Sequence, residues 1–196
     1  MGVMADPIAV GHAALARRQE EFGSWMQSEQ KRVFLLCYRL LQDQDEADSA
    51  AQDAFLKAYR AMEKPDFEAV TDLTRWITRI AVNTCLDRLR SKRWQFWRRR
   101  PAKETEELIL NMAASHDPGA LDQLTGREIE RRLAAALEKL SLQQRAVFTL
   151  RHYEDKTLDE IAGILNLETG SVKSHLARSL VKLRIELKDL YWKNRI

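Results

Sequence analysis

The residues whose types and spacing could do chemistry lie mainly between Thr157 and Leu183. Lys173, Ser174, His175, Arg178 and Lys182 fall within one short segment, threaded by Val172, Leu176, Leu180 and Leu183 at steps of four, four and three. At about 100° per residue, Ser174 and Arg178 point almost directly away from that apolar stripe. Gly170, Ser171 and Ala177 lie nearby, with Lys173 and His175 on the flanks. Guanidinium, ammonium and hydroxyl donors set among small side chains suit non-covalent recognition. An arginine can reach O6 and N7 of a guanine, and lysines such as Lys173 and Lys182 can anchor on phosphates.

A helix of this kind has to be held at an angle by a neighbour. Thr157 followed by Glu160 matches a capping box, and Leu158, Ile161, Ala162 and Leu165 repeat at i, i+3, i+4 and i+7. Asn166 stands where a left-handed turn residue ends such a helix. Two short helices with a sharp corner, the second crowned by small and basic residues, have the pattern of a helix-turn-helix that enters a major groove. The plainer reading is a helical hairpin with a solvated cationic face.

The rest of the chain is also helical in pattern. Val33, Leu36, Cys37, Leu40 and Leu41 recur at steps of three and four. Ala47, Ala50, Ala51, Ala54, Phe55 and Ala58 give a second helix with a narrow small-residue face, and Trp76, Ile77, Ile80, Ala81, Thr84 and Leu89 mark a third. A basic aromatic burst containing Trp94 and Trp97 leads into a segment with Pro118 and Gly119 that reads as a linker. Beyond it come helices around Ile129 to Leu140 and Gln143 to Arg151. No useful strand-like alternation appears, so the expected fold class is all-α, with two small helical domains joined by a flexible linker. The expected division is a leader over 1–21, a bundle over 22–93, a linker over 94–127 and a helix-turn-helix domain over 128–196.

The 196 residues carry a net charge of only +3, but the charge is segregated. Five acids and no base lie between Asp43 and Asp53, and nine bases face the single acid Asp87 between Arg75 and Arg100. This suggests one surface for a basic partner and another for phosphates. The two cysteines, Cys37 and Cys85, have no paired spacing, which argues against a disulfide framework or a zinc site and for a reducing cytoplasm. Neither a membrane span nor a secretory leader is visible. With no metal-ligand cluster, phosphate-cradling glycine loop or nucleophile with a base, the expectation is a non-enzyme without cofactor or metal.

At this point the chain resembles a known family. The stretch "RAVFTLRHYEDKTLDEIAGILNLETGSVKSHLARSLVKLR" is similar to the promoter-reading domain of bacterial sigma factors. "DEADSAAQDAFLKAYRA" resembles their polymerase-binding helix, and "TRWITRIAVNTCLDRLRSKR" resembles their promoter-melting helix. Sigma factors of the extracytoplasmic-function group keep only these two domains. Departures touch promoter choice: Ser141 replaces a frequent proline, Asp155 and Lys156 replace a glycine turn, and Ala177 is small.

The resemblance implies three binding sets. Asp45, Asp48 and Gln52, with Glu46 and Asp53 at the edge, would dock on core RNA polymerase. Asp66 and Phe67 in the loop, with Arg75, Arg79, Asn83, Arg88 and Arg90 on the helix, would capture the -10 element of promoter DNA. Ser171, Lys173, Ser174, His175, Ala177, Arg178 and Lys182 would read the -35 element. The linker acids Glu104, Glu106 and Glu107 would lie near the RNA exit path, and an anti-sigma factor is an expected partner. The runner-up reading is an autonomous helix-turn-helix regulator that acts without polymerase.

Overall fold

The structure is a computed structural model that describes residues 7–62, 71–91 and 120–188, and the described residues form seven helices and no strand. The first, α1 (Pro7–Leu41), opens inside the segment expected to be a loose leader. The reason is local: proline suits the first position of a helix, and most of the residues that follow it are good helix formers. At the far end Gln42 takes a left-handed φ of 57°, its amide donates to Tyr38, and Asp43 accepts from the Glu46 amide at 2.9 Å to start α2 (Gln44–Met62).

Alanines line the buried face of α2. Ala47, Ala50, Ala54 and Ala58 are fully buried, so α2 lies close against α1 and against α3 (Leu73–Arg90). Asp72 caps α3 by accepting from the Arg75 amide at 2.8 Å. Cys37 of α1 and Cys85 of α3 are both buried and unbridged, and they meet across the interface. The hydrogen bond with Cys37 and burial push the Cys85 thiol well above its ordinary range.

The second half contains α4 (Ala120–Glu138), α5 (Leu142–His152), α6 (Leu158–Leu165) and α7 (Thr169–Glu186). Here α4 starts earlier than the pattern from Ile129 indicates. Ser141 does the work of the absent proline: it caps α5 in a reciprocal box with Gln144. Asp155 takes φ 51° and so supplies the left-handed turn without glycine.

Arg145 of α5 is 1% exposed and donates to three helix-end carbonyls. Nε reaches Leu137 at 2.9 Å, Nη2 reaches Glu138 at 3.0 Å, and Nη1 reaches Leu40 of α1 at 2.8 Å. The last carbonyls of a helix lack intrahelical partners and carry partial negative charge, so the buried cation and the two helix ends satisfy one another. One apolar cluster then runs on from Val33, Leu36 and Leu40 to Val147, Leu150, Ile161 and Val172.

Arg145→Ala should lower the unfolding free energy by about 3 kcal/mol, because three helix-end carbonyls each lose a charged donor, Leu137 alone keeping a second one in the Leu140 amide. Urea denaturation measures this, and Arg145→Lys should recover only part of it, since an ammonium cannot fork.

Candidate nucleic-acid interface and docking groove

The corner between α6 and α7 is built from local bonds. Thr157 Oγ1 accepts from the Glu160 amide at 3.2 Å, while Glu160 Oε2 accepts from the Thr157 amide and hydroxyl at 2.8 Å each. These donors hold the Glu160 carboxyl below its ordinary value. Asn166 closes α6 in the left-handed conformation, φ 53° and ψ 52°, and Thr169 donates to Asp159 at 2.8 Å across the corner. Val172, Ser179 and Leu183 are the buried residues of α7.

The opposite face of α7 is open. Ser171, Lys173, Ser174, Ala177, Arg178 and Lys182 are exposed, and His175 is half-buried with an enclosed Nδ1. Two residues that the reading of the sequence passed over continue this face: Val181, 57% exposed, and Ile185, 67% exposed. Taking about 100° per residue, they share an arc of about 60° with Ser174 and Arg178. Their spacing of four, out of step with the buried stripe, is the signal that could have found them.

Along α3 the candidate cations divide. Arg75, Arg79, Asn83 and Arg90 are exposed and lie within an arc of about 80°. Arg88 points the other way, towards α2, where Nη1 meets Glu46 Oε2 at 2.6 Å and Nη2 meets Asp53. Burial alone would lower the Arg88 pKa, but the bonds to Asp53 and Glu46 raise it above its ordinary value. Trp76 is half-buried against the core. Asp66, Phe67, Trp94, Trp97, Glu104, Glu106 and Glu107 lie outside the described residues.

The acids of α2 divide in the same way. Glu46 and Asp53 turn to Arg88, whereas Asp45, Asp48 and Gln52 line a groove of about 870 Å³ between α1 and α2. Its apolar lining includes Phe22, Met26, Phe34 and Phe55, Lys31 stands on the α1 side, and Leu56 is 47% exposed at its margin. Gln52 Nε2 donates to Asp48 at 2.8 Å, which orders the acidic rim. An apolar trough with a carboxylate edge suits a helix that carries aliphatic and basic residues together.

Residues 25–95 match Sigma-70 region 2, and residues 130–183 match Sigma-70, region 4. The ECF RNA polymerase sigma factor SigW of Bacillus subtilis is 30% identical over 88% of this chain and 91% of its own length. The chain belongs to the extracytoplasmic-function sigma factors. RNA polymerase sigma-E factor of Streptomyces coelicolor is 29% identical over 85% of this chain and 86% of its own length. Among solved structures, sigma factor RpoE of Bartonella quintana, crystallised with the anti-sigma factor NepR, superposes with a TM-score of 0.64 at 19% identity, covering 86% of this chain and 98% of that one.

As a sigma factor of this family, the protein directs promoter-specific transcription initiation. The matched regions span both halves of the chain, which does not favour an autonomous helix-turn-helix regulator. No described helix of this sigma factor is long and apolar enough to cross a membrane.

Thr157→Ala should destabilise the sigma factor's helix-turn-helix by about 1 kcal/mol. Because the Glu160 carboxyl is depressed in the fold, its stabilising contribution is complete above the ordinary carboxylate value of 4.5 and is lost as pH falls through the lower folded value. Thermal melts from neutral to acid pH should therefore show a shallower acid-side decline for Glu160→Gln than for the wild type.

Proposed function

We propose that the three surfaces divide the work of initiation. The α1–α2 groove, through Asp45, Asp48 and Gln52, docks on a helical element of core RNA polymerase, and Glu46 and Asp53 support it by fixing α2 on Arg88. The observation that carries this reading is the split of the α2 acids into a groove-lining set and an Arg88-bound set. Exposed carboxylates beside an uncovered apolar trough are poor core and good interface.

The α3 arc of Arg75, Arg79, Asn83 and Arg90, together with Asp66 and Phe67, holds the non-template strand at the -10 element. Unstacking a base costs a few kcal/mol, and cations spaced along one helix face offset that cost by anchoring the phosphates on either side. The α7 face reads the -35 element: Arg178 addresses a base edge, Lys173 and Lys182 anchor on phosphates, and Ser171, Ser174, His175 and Ala177 let the helix approach closely. The protein works in the cytoplasm and has no catalytic activity of its own. Its likeness to the fold of RpoE, crystallised with NepR, and of CnrH, crystallised with the cytosolic domain of CnrY, supports an anti-sigma factor as a further partner.

Run-off transcription with purified core polymerase tests the whole reading: start-site selection from a promoter library is the expected result, and its absence together with failure to bind core refutes it. Asp48→Lys should weaken core binding roughly tenfold while leaving DNA binding by the free protein unchanged. Arg178→Ala should cost about 1 to 3 kcal/mol of discrimination at one position of the -35 element. Within α3 the two kinds of arginine should separate. Arg79→Ala weakens capture of a single-stranded -10 oligonucleotide at unchanged stability, whereas Arg88→Ala lowers thermal stability by about 1 kcal/mol with no selective loss of that binding.

A further inference from the structure

The reading face of α7 runs on past the residues assigned to DNA. Val181 is 57% exposed and Ile185 is 67% exposed, and both fall within the arc of Ser174 and Arg178. They stand about 18 and 24 Å along the helix from Thr169. A recognition helix meets base edges with its N-terminal residues, and the major groove is only about 8.5 Å deep. The pair therefore stands at the mouth of the groove, beside the sugar-phosphate rail. An aliphatic side chain has no hydrogen bond to donate to a phosphate there.

Cations bracket the pair. Lys182, Arg184 and Lys188 are exposed, and on the helical wheel Lys182 lies to one side of the pair and Arg184 and Lys188 to the other. Aliphatic surface ringed by ammonium and guanidinium groups suits an aromatic ring, which buries its face on the methyl groups and draws the cations to its π electrons. The segment that follows α7 supplies such rings. Leu187 ends the helix, with its amide donating to the Ile185 and Leu183 carbonyls. Residues 189–196, which lie outside the described residues, read "DLYWKNRI" and hold Tyr191 and Trp192 beside Lys193 and Arg195. The match to Sigma-70, region 4 stops at residue 183, short of Ile185 and of both rings.

Length and area both favour this segment as the occupant. Eight residues reach at most about 27 Å, whereas Val181 lies only about 11 Å back along the axis from Lys188. A reversal of direction leaves chain to spare. Two side chains offer far less than the roughly 800 Å² per partner that a stable complex between separate proteins buries. A tethered segment needs much less, because its effective concentration is in the millimolar range.

We propose that the segment after α7 folds back on the reading face, seats Trp192 on Val181 and Ile185, and so carries Lys193 and Arg195 to the phosphates that flank the -35 element. The DNA contact rests on the -35 reading above, whereas the fold-back rests on the patch and the segment alone. Lys182, Arg184, Lys188, Lys193 and Arg195 then stand together, while Glu186 is engaged by Lys139 and only Asp189 is left to oppose them. Cations gathered so densely repel one another in the free protein, and a polyanion relieves that repulsion. Arg178 and Ser174 thus read bases at one end of α7, and the folded-back segment clamps the rail at the other.

Trp192→p-benzoylphenylalanine in the full chain gives a direct readout of the fold-back. Irradiation should join it, within one molecule, to the α7 peptide that carries Val181 and Ile185. Val181→Ser combined with Ile185→Ser, both at exposed positions, should abolish that product. A short mixed-sequence DNA duplex tests the clamp, since anchoring on phosphates needs no particular sequence. Lys193→Gln with Arg195→Gln should weaken binding at least about fivefold and flatten the slope of log affinity against log salt by roughly 1.8, the share of two phosphate contacts. Val181→Ser with Ile185→Ser should flatten the slope in the same direction although it alters no charge. Absence of the cross-link, a cross-link to a second copy or to another helix, or a salt slope that the serine variant leaves unchanged overturns the proposal. A wild type that selects no start site with core polymerase refutes the -35 reading instead, and the cross-link still decides the fold-back by itself.

Discussion

Much of the architecture depends on one buried guanidinium. Arg145 is almost wholly enclosed, and an unpaired cation there would cost several kcal/mol to desolvate. It is tolerated because the ends of α1 and α4 both present C-terminal carbonyls at the same point, Leu40 from one and Leu137 and Glu138 from the other. A planar fork with donors fixed at set angles allows little latitude in how those three carbonyls are arranged. Arg145 therefore sets where α5 crosses α1, and with it where the turn carrying Glu154 arrives against Arg32.

Inside the first half, Arg88 plays the corresponding part for charge. It draws Glu46 and Asp53 to the α3 side of α2 and leaves Asp45 and Asp48 on the groove side. Since the alanine face brings α2 close to its neighbours, these acids stand within reach of one guanidinium without long side chains having to stretch. The dense acidic run of the sequence thus resolves into two faces with different work. One holds two helices together, and the other edges an apolar trough.

What the sequence disclosed follows from how local each feature is. The capping box at Thr157, the left-handed Asn166 and the exposed crown of α7 are set by residues within a few positions of one another, and all were legible. The extent of α1 was less so, because Pro7 and Gly11 carry opposite meanings at a helix start and inside a loop, and only Pro7's place at the first helical position decides between them. The family resemblance groups Arg88 with the other cations of α3, although the helical wheel alone sets it on the far side. The Cys37–Cys85 contact and the Arg32–Glu154 pair join residues too distant in the chain for spacing to reveal them. They appear only once the three-helix bundle and the docking of the second half are known.

The same contrast bears on how a promoter would be found. On the proposed reading, a face with one forked side chain, Arg178, and two phosphate-reaching lysines would contribute a few kcal/mol of discrimination, and the α3 arc would hold strand more than read sequence. Neither reader alone is selective enough among the many competing sites of a genome. Joined on one scaffold at a fixed spacing, the second encounter becomes intramolecular, and the distance between elements becomes part of what is recognised. That gain exists only when both readers are engaged at once. Two weak readers on one chain therefore restrict selectivity to the assembly in which both can act together.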